Sequence, residues 1–247
     1  MPSFKSWTSY FDFRDTVVKK SRYIHDSDSL SFLEAVVDTS QIRRFAMNKR
    51  YSLWRAQLGY DEKKERLPAG LRHPFCPDRM KPLPDRAREG RANPKGIPYL
   101  YMATHENVAM AEVRPWIGSH ISLGRFSTTR DLCLVDCSQD VCDMAIWYAK
   151  EPPEDEKENV VWCHINSAFA EPVTNADSIA DYVPTQIIAE QLRMSGCDGI
   201  QYRSALGKTG LNVVLFDPHN AEQIYGELRV VEGISFNFGL GINQYRL

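Results

Sequence analysis

The sequence predicts a compact α+β domain with a mixed sheet, preceded by an N-terminal helical extension. Three observations point there. The first 48 residues contain no glycine, and Leu30, Leu33, Val36, Val37, Ile42 and Phe45 recur at loosely helical spacing. Short apolar segments at 51–58, 99–103, 121–127, 132–137, 199–204, 211–216 and 222–231 read as strands bounded by turn residues. Helix-like and strand-like segments mix without regular βαβ alternation, which favours α+β over a doubly wound sheet. With 247 residues, 43% hydrophobic and 25% charged, the chain can bury a real core without staples.

Each element has a local reason. Asp28 or Ser29 suits the cap of the second N-terminal helix, and Asn48–Arg50 closes it. Gly59 ends the strand 51–58. Thr104 is expected to cap a helix running to Val113, which Arg114-Pro115 stops. Helices are expected at about 156–170 and 181–195, the second ended by Gly196. The acidic, proline-bearing stretch 150–158 reads as an exposed linker. Two parts follow: an extension over 1–48 and a main domain over 49–247.

Composition excludes several function classes. A net charge of -2 gives no global nucleic-acid footprint. No apolar run approaches a membrane span, and the start lacks an apolar signal core, so the cytoplasm is the expected compartment. The six cysteines (76, 133, 137, 142, 163, 197) lack metal-ligand spacing and read as buried free thiols, and no metal is expected. Gly207-Lys208-Thr209 fails as a phosphate loop because Tyr202 stands where its first glycine belongs. There is no G-x-G-x-x-G and no G-x-S-x-G. His105 reads as a surface polar residue. Cys163 and His164 are helix neighbours that do not face each other.

One segment breaks the balance. Between Arg66 and Lys95 stand six prolines and eight basic residues against three acids. Such a loop suggests an anionic ligand nearby. It joins Gly90-Arg91-Ala92-Asn93-Pro94-Lys95-Gly96 to the strand carrying Tyr101. Glu112 then falls near the end of a helix of small and apolar residues.

These features, taken in order, resemble the RES-domain family, many of whose members are toxins of bacterial toxin–antitoxin pairs. The resemblance rests on Leu53-Trp54-Arg55, on Gly90-Arg91-Ala92-Asn93 through Tyr101 to Ala109-Met110-Ala111-Glu112-Val113, and on Ser204 followed by Gly210-Leu211-Asn212 and an apolar strand. Asp198-Gly199-Ile200 also fits. The motifs span about 51–217. Two positions depart from the pattern: Ala92 replaces an aromatic, and Arg203 directly precedes Ser204.

The resemblance implies an ADP-ribosyltransferase-like fold and cleavage of NAD+ at the nicotinamide–ribose bond. NAD+ is then a consumed substrate rather than a cofactor, and phosphate or water is the acceptor. It implies Arg55, Tyr101, Glu112 and Ser204 as catalytic residues. Arg55, Arg91, Asn93, Tyr101, Ser204 and Asn212 are implied to bind substrate. In chemical terms, Glu112 would stabilise the ribosyl cation, and Arg55 and Arg91 would fork onto the pyrophosphate. Tyr101 would stack on nicotinamide. A cognate antitoxin and self-association are further expectations. A protein-modifying ADP-ribosyltransferase and a non-catalytic nucleotide- or partner-binding module are the alternatives.

Overall fold

The computed structural model describes residues 3–62, 71–84, 86–140, 151–171, 179–206 and 209–235. Two N-terminal helices, α1 (Ser9–Lys19) and α2 (Ser27–Ser40), lead into strands β1 (Arg44–Met47) and β2 (Ser52–Leu58). A short helix, α3 (Pro77–Met80), precedes β3 (Leu100–Ala103) and α4 (Glu106–Glu112). Then come β4 (His120–Thr128), β5 (Leu132–Asp136), α5 (Lys157–Ala170), α6 (Val183–Met194), β6 (Gly199–Arg203), β7 (Leu211–Leu215) and β8 (Ala221–Val230). The eight strands form one sheet in the order β1-β5-β6-β7-β3-β2-β4-β8. Among the described residues only β5 and β6 run parallel. The expected α+β class and mixed sheet are therefore present, with helices at the N-terminus.

The sheet has a weak seam. β2 pairs with β4 over seven consecutive positions, Ser52↔Ser127 to Leu58↔Ile121. It pairs with β3 at a single position, Trp54↔Ala103. β3 in turn pairs fully with β7, Leu100↔Leu215 to Ala103↔Asn212. The group β4-β8 with β2 therefore meets the rest of the sheet at one narrow junction. α4 lies over that junction and packs Val108 and Ala109 on Ala56, Ala103, Ile121 and Leu123. Alanines at three of these positions let the helix sit close to the sheet.

On the other side, Gly199 lets β6 approach β7. A Cβ there would stand 2.3 Å from the Val214 carbonyl oxygen. Asp198 fixes the same corner, accepting from the Cys133 backbone N–H at 2.9 Å and from Arg130. These bonds are the physical content of the Asp198-Gly199-Ile200 motif.

The N-terminal residues are part of the main core. Phe4, Tyr10, Phe13, Val17, Phe32, Leu33 and Val36 pack with Val135, Trp162, Phe169, Ile188, Leu192 and Ile200. Phe13 and Phe32 stack with ring centroids 4.6 Å apart. The one polar atom of buried Trp162, Nε1, donates to Thr39 Oγ1 at 3.0 Å. Burying a large apolar side chain contributes about 1.5–3 kcal/mol. Six such residues together match the whole net stability of a domain, about 5–15 kcal/mol.

Four local expectations are corrected. Asp26, not Asp28 or Ser29, caps α2, its carboxylate accepting from the Ser29 N–H at 2.8 Å. Residues 44–47 form edge strand β1 rather than helix. Ile42 is 77% exposed, so the apolar stripe has ended, and pairing with β5 satisfies the backbone instead. The boundary at 48 thus falls beside a strand of the sheet. Thr104 does not cap α4. His105 occupies the N-cap without a side-chain bond to the helix backbone, and Thr104 clamps β3 to β7, its hydroxyl accepting from Leu211 N–H at 3.0 Å and its N–H donating to Leu211 O at 2.9 Å. Cys163 is disulfide-bonded rather than free, while Cys76, Cys133, Cys137 and Cys197 are free. Cys142, Gly207 and Lys208 lie outside the described residues.

Among the described residues, no helix is long and apolar enough to cross a membrane, and no cluster of His, Cys, Asp or Glu is placed to hold a metal ion.

Two outcomes are expected. Removing residues 1–43 strips α1 and α2 from the core, so the truncated chain should lose its cooperative melting transition or its solubility. A folded truncated chain in circular dichroism would contradict this. The second concerns His164, 3% exposed, its ring 4.4 Å from that of Phe11. Burial lowers its pKa from 6.5 to about 4. Between those values the unfolded chain takes a proton that the folded chain refuses. Stability should therefore fall as pH drops from 6.5 toward 4 and be insensitive to this group above 6.5. His164→Gln should shrink the melting-temperature difference between pH 7.5 and pH 5. An unchanged difference would remove His164 as the cause.

Candidate active site

The narrow β2–β3 junction positions the polar residues. Glu112 is the last residue of α4. Its Oε1 accepts from Ser204 Oγ at 2.7 Å and from Asn212 Nδ2 at 2.8 Å. Ser204 directly follows β6, and Asn212 sits in β7 opposite Ala103. Three separate elements therefore converge on one carboxylate oxygen. Oε2 makes no hydrogen bond among the described residues. The residue stays exposed at the mouth of a cleft.

Arg55 stands beside it. Its Nη1 donates to the Tyr101 carbonyl at 2.7 Å, next to the point where β2 and β3 stop pairing. The side chain thus replaces a rung of the ladder. Nε is buried without a partner, and no carboxylate pairs with Arg55 among the described residues. Burial lowers its pKa to about 10, so it stays cationic at neutral pH. A desolvated guanidinium without a counter-ion is suited to an anionic ligand.

Tyr101 and Asn93 hold the 90–97 loop. The Tyr101 hydroxyl donates to Asn93 Oδ1 at 2.6 Å and accepts from the Ala92 N–H at 3.0 Å. Burial pushes that phenol well above its ordinary pKa. Asn93 Nδ2 donates to the carbonyls of Arg88, Pro94 and Ile97. Gly90 is required here, because a Cβ would come within 2.6 Å of the Tyr101 hydroxyl. Asn93's amide is thus consumed within the loop while the residue forms part of the cleft wall. The Tyr101 ring faces the cleft.

Two cavities meet at this cluster. The larger, about 760 Å³, is lined by Trp54, Arg55, Tyr101 and Glu112 and, along one wall, by Arg79, Lys81, Arg86 and Arg88. Part of the basic loop therefore does face a cavity. The smaller, about 350 Å³, is lined by Arg91, Arg114, Phe169 and Glu171. Tyr101, Glu112, Tyr202 and Asn212 line both. Arg91 is 9% exposed, donates to Ala168 O at 3.1 Å and lies 5.0 Å over the Tyr182 ring. Arg55 thus lines the larger cavity and Arg91 the smaller, on either side of the residues that line both.

Two residues escaped the sequence reading. Tyr202, buried in β6, lines both cavities, and the inward alternation of Ile200 and Tyr202 was its signal. Gln186, on the buried face of α6, donates to Gly90 O at 2.9 Å and Asn93 O at 3.0 Å. A glutamine inside an apolar helix stripe was its signal. Arg203, one of the two departures, turns away from the cleft to the carbonyls of Ser138 and Asp140. Ala92 is fully buried, and its backbone holds Tyr101.

A split mixed sheet with a carboxylate at its seam and, lining the same cavity, an arginine that no carboxylate pairs with among the described residues defines an α+β protein with a charged cleft. The chain belongs to the RES-domain family, whose pattern it matches over residues 52–230. Among solved structures, it is similar to a chain of the crystal structure of the M. tuberculosis MbcT–MbcA toxin–antitoxin complex. The identity is 13%, the TM-score 0.42, and the match covers 79% of this chain and 92% of that one. No curated protein matches it in sequence.

Tyr101→Phe should loosen the loop without unfolding the protein. It leaves Ala92 N–H and Asn93 Oδ1 without their partner, at a cost of about 1–3 kcal/mol. Hydrogen exchange over residues 90–97 should rise and the melting temperature fall. Unaltered exchange there would show that the hydroxyl does not hold the loop.

Proposed function

We propose that this protein is an NAD+-consuming enzyme that breaks the nicotinamide–ribose bond, passes ADP-ribose to phosphate or water, and acts as the toxin of a toxin–antitoxin pair. Membership of the RES-domain family supports the class of reaction and the role of a protein antitoxin as its partner. The observation that carries the chemistry is Glu112, fixed through one oxygen by Ser204 and Asn212 and leaving the other unengaged at the meeting point of two cavities.

Departure of nicotinamide takes the bonding electron pair to its ring nitrogen, which becomes neutral, so no strong general acid is needed. The ribose is left with oxocarbenium character. A carboxylate held in place beforehand stabilises that charge without reorganising. Arg55 meets the pyrophosphate in the larger cavity. Tyr101 and Tyr202 offer ring faces to nicotinamide where the cavities join. Asn93 and Gln186 act as positioning residues for the loop. Arg91, at the smaller cavity, serves the acceptor side rather than the pyrophosphate.

Glu112 is exposed at the cleft mouth, which favours a second reading, transfer of ADP-ribose to a protein side chain. One experiment separates these outcomes: purified protein incubated with NAD+, with and without phosphate, and its products resolved. Free ADP-ribose identifies hydrolysis, ADP-ribose 1″-phosphate identifies phosphorolysis, and labelled protein identifies transfer. No turnover would overturn the assignment. Glu112→Gln should lower kcat by about 10²–10³ with the fold unchanged, the usual loss for one preorganised electrostatic contact. Full activity in a folded Glu112→Gln protein would end the role given to this carboxylate.

A further inference from the structure

We infer that the dinucleotide for which this cleft is built carries a third phosphate, on the ribose of its adenosine half, making NADP+ a better substrate than NAD+. The inference rests on the cleavage reading above and concerns the charge of the substrate.

Strand β2 serves as a ruler. Trp54 pairs with Ala103, Ala103 pairs with Asn212, and Asn212 holds Glu112. The carboxylate therefore lies level with Trp54. Arg55 is the next residue along, and the pyrophosphate would lie there. Gln57 is three residues from Trp54, about 10 Å at ~3.3 Å per residue. Its Nε2 donates to Arg79 O at 3.1 Å. That bond ties Arg79 to β2 at Gln57, on the far side of Arg55 from Trp54.

From this anchor the chain contributes Arg79, Lys81, Arg86 and Arg88 to the cavity lining, with one lining carboxylate, Glu89, interspersed among them in the described residues. Asp85 lies outside the described residues. Arg79 is partly engaged, 3.8 Å from Asp61 and 3.8 Å over the Phe75 ring. Lys81 and Arg88 form no ion pair among the described residues.

The pyrophosphate of NAD+ does not account for this wall, because Arg55 meets it at the near end. The remote end is where the adenosine ribose of an extended dinucleotide would fall. In doubly wound dinucleotide folds a site for a free 2′-hydroxyl presents an acidic residue and one for a 2′-phosphate a basic side chain, and the same charge logic holds for any fold. Such a monoester carries about -1.5 to -2 charge at pH 7, and a mainly basic wall suits it.

The test measures kcat/KM for NADP+ and for NAD+ on the full chain. NADP+ should be favoured about tenfold, and the preference should shrink as salt screens the contact. Lys81→Gln and Arg88→Gln should each lower the NADP+/NAD+ ratio several-fold, with the double variant near unity. A binding arm needs no turnover: adenosine 2′,5′-bisphosphate should raise the melting temperature more than ADP, and the double variant should lose that difference. Cleavage of NAD+ equal to or faster than NADP+ overturns the inference and leaves the proposed function standing. If neither dinucleotide is cleaved, the proposed function falls. The binding arm then decides alone: a difference between the two nucleotides that the double variant abolishes supports the third-phosphate site, and its absence overturns it.

Discussion

The single paired position between β2 and β3 is the constraint on which the site depends. A continuous ladder there would have satisfied the backbone and closed the sheet. Instead the pairing stops, and a buried carbonyl, Tyr101 O, needs another donor. Arg55 supplies it from its side chain, which draws a guanidinium into the seam. The cleft, the cation and the approach to Glu112 thus have one origin. α4 crosses the seam on small residues and delivers Glu112 from above, while β7 delivers Asn212 from beside it.

Burial of Arg55 carries an energetic consequence. A guanidinium taken out of water without a counter-ion costs stability, and its lowered pKa expresses that cost. An arriving anion relieves it. The same reasoning separates Arg55 from Arg43, which is 2% exposed, more deeply buried than Arg55, but is paired with Asp140 at 2.6 Å and lies 4.8 Å over Trp162. Arg43 belongs to the core and Arg55 to the cleft, a distinction invisible in residue type.

Strand and helix positions were legible because period and punctuation mark them: Gly59, Arg114-Pro115 and Gly196 all stand where an element ends. The convergence of Arg55, Glu112, Ser204 and Asn212 was legible through motif order alone, since no local pattern ties residue 112 to 204. What stayed hidden depends on tertiary partners. Thr104 looks like a helix cap until Leu211 is beside it. Residues 44–47 look helical until β5 offers a ladder. Arg55 and Arg91 look equivalent, and only the division of the cleft at Tyr101 and Tyr202 sets them apart.

The N-terminal helices support the site through α5 and α6. Gln186 holds Gly90 O and Asn93 O from α6, and Asn166 on α5 accepts from the Arg203 N–H at 3.0 Å, next to Ser204. Those two helices keep their places because Phe4, Phe13, Phe32 and Val36 pack against them. The loop that orients Tyr101 and the turn that presents Ser204 are thus braced, one layer removed, by residues outside the recognisable motifs. Loosening that brace would first shift Ser204, which follows the end of β6, because Asn212 is held inside β7 between β3 and β6.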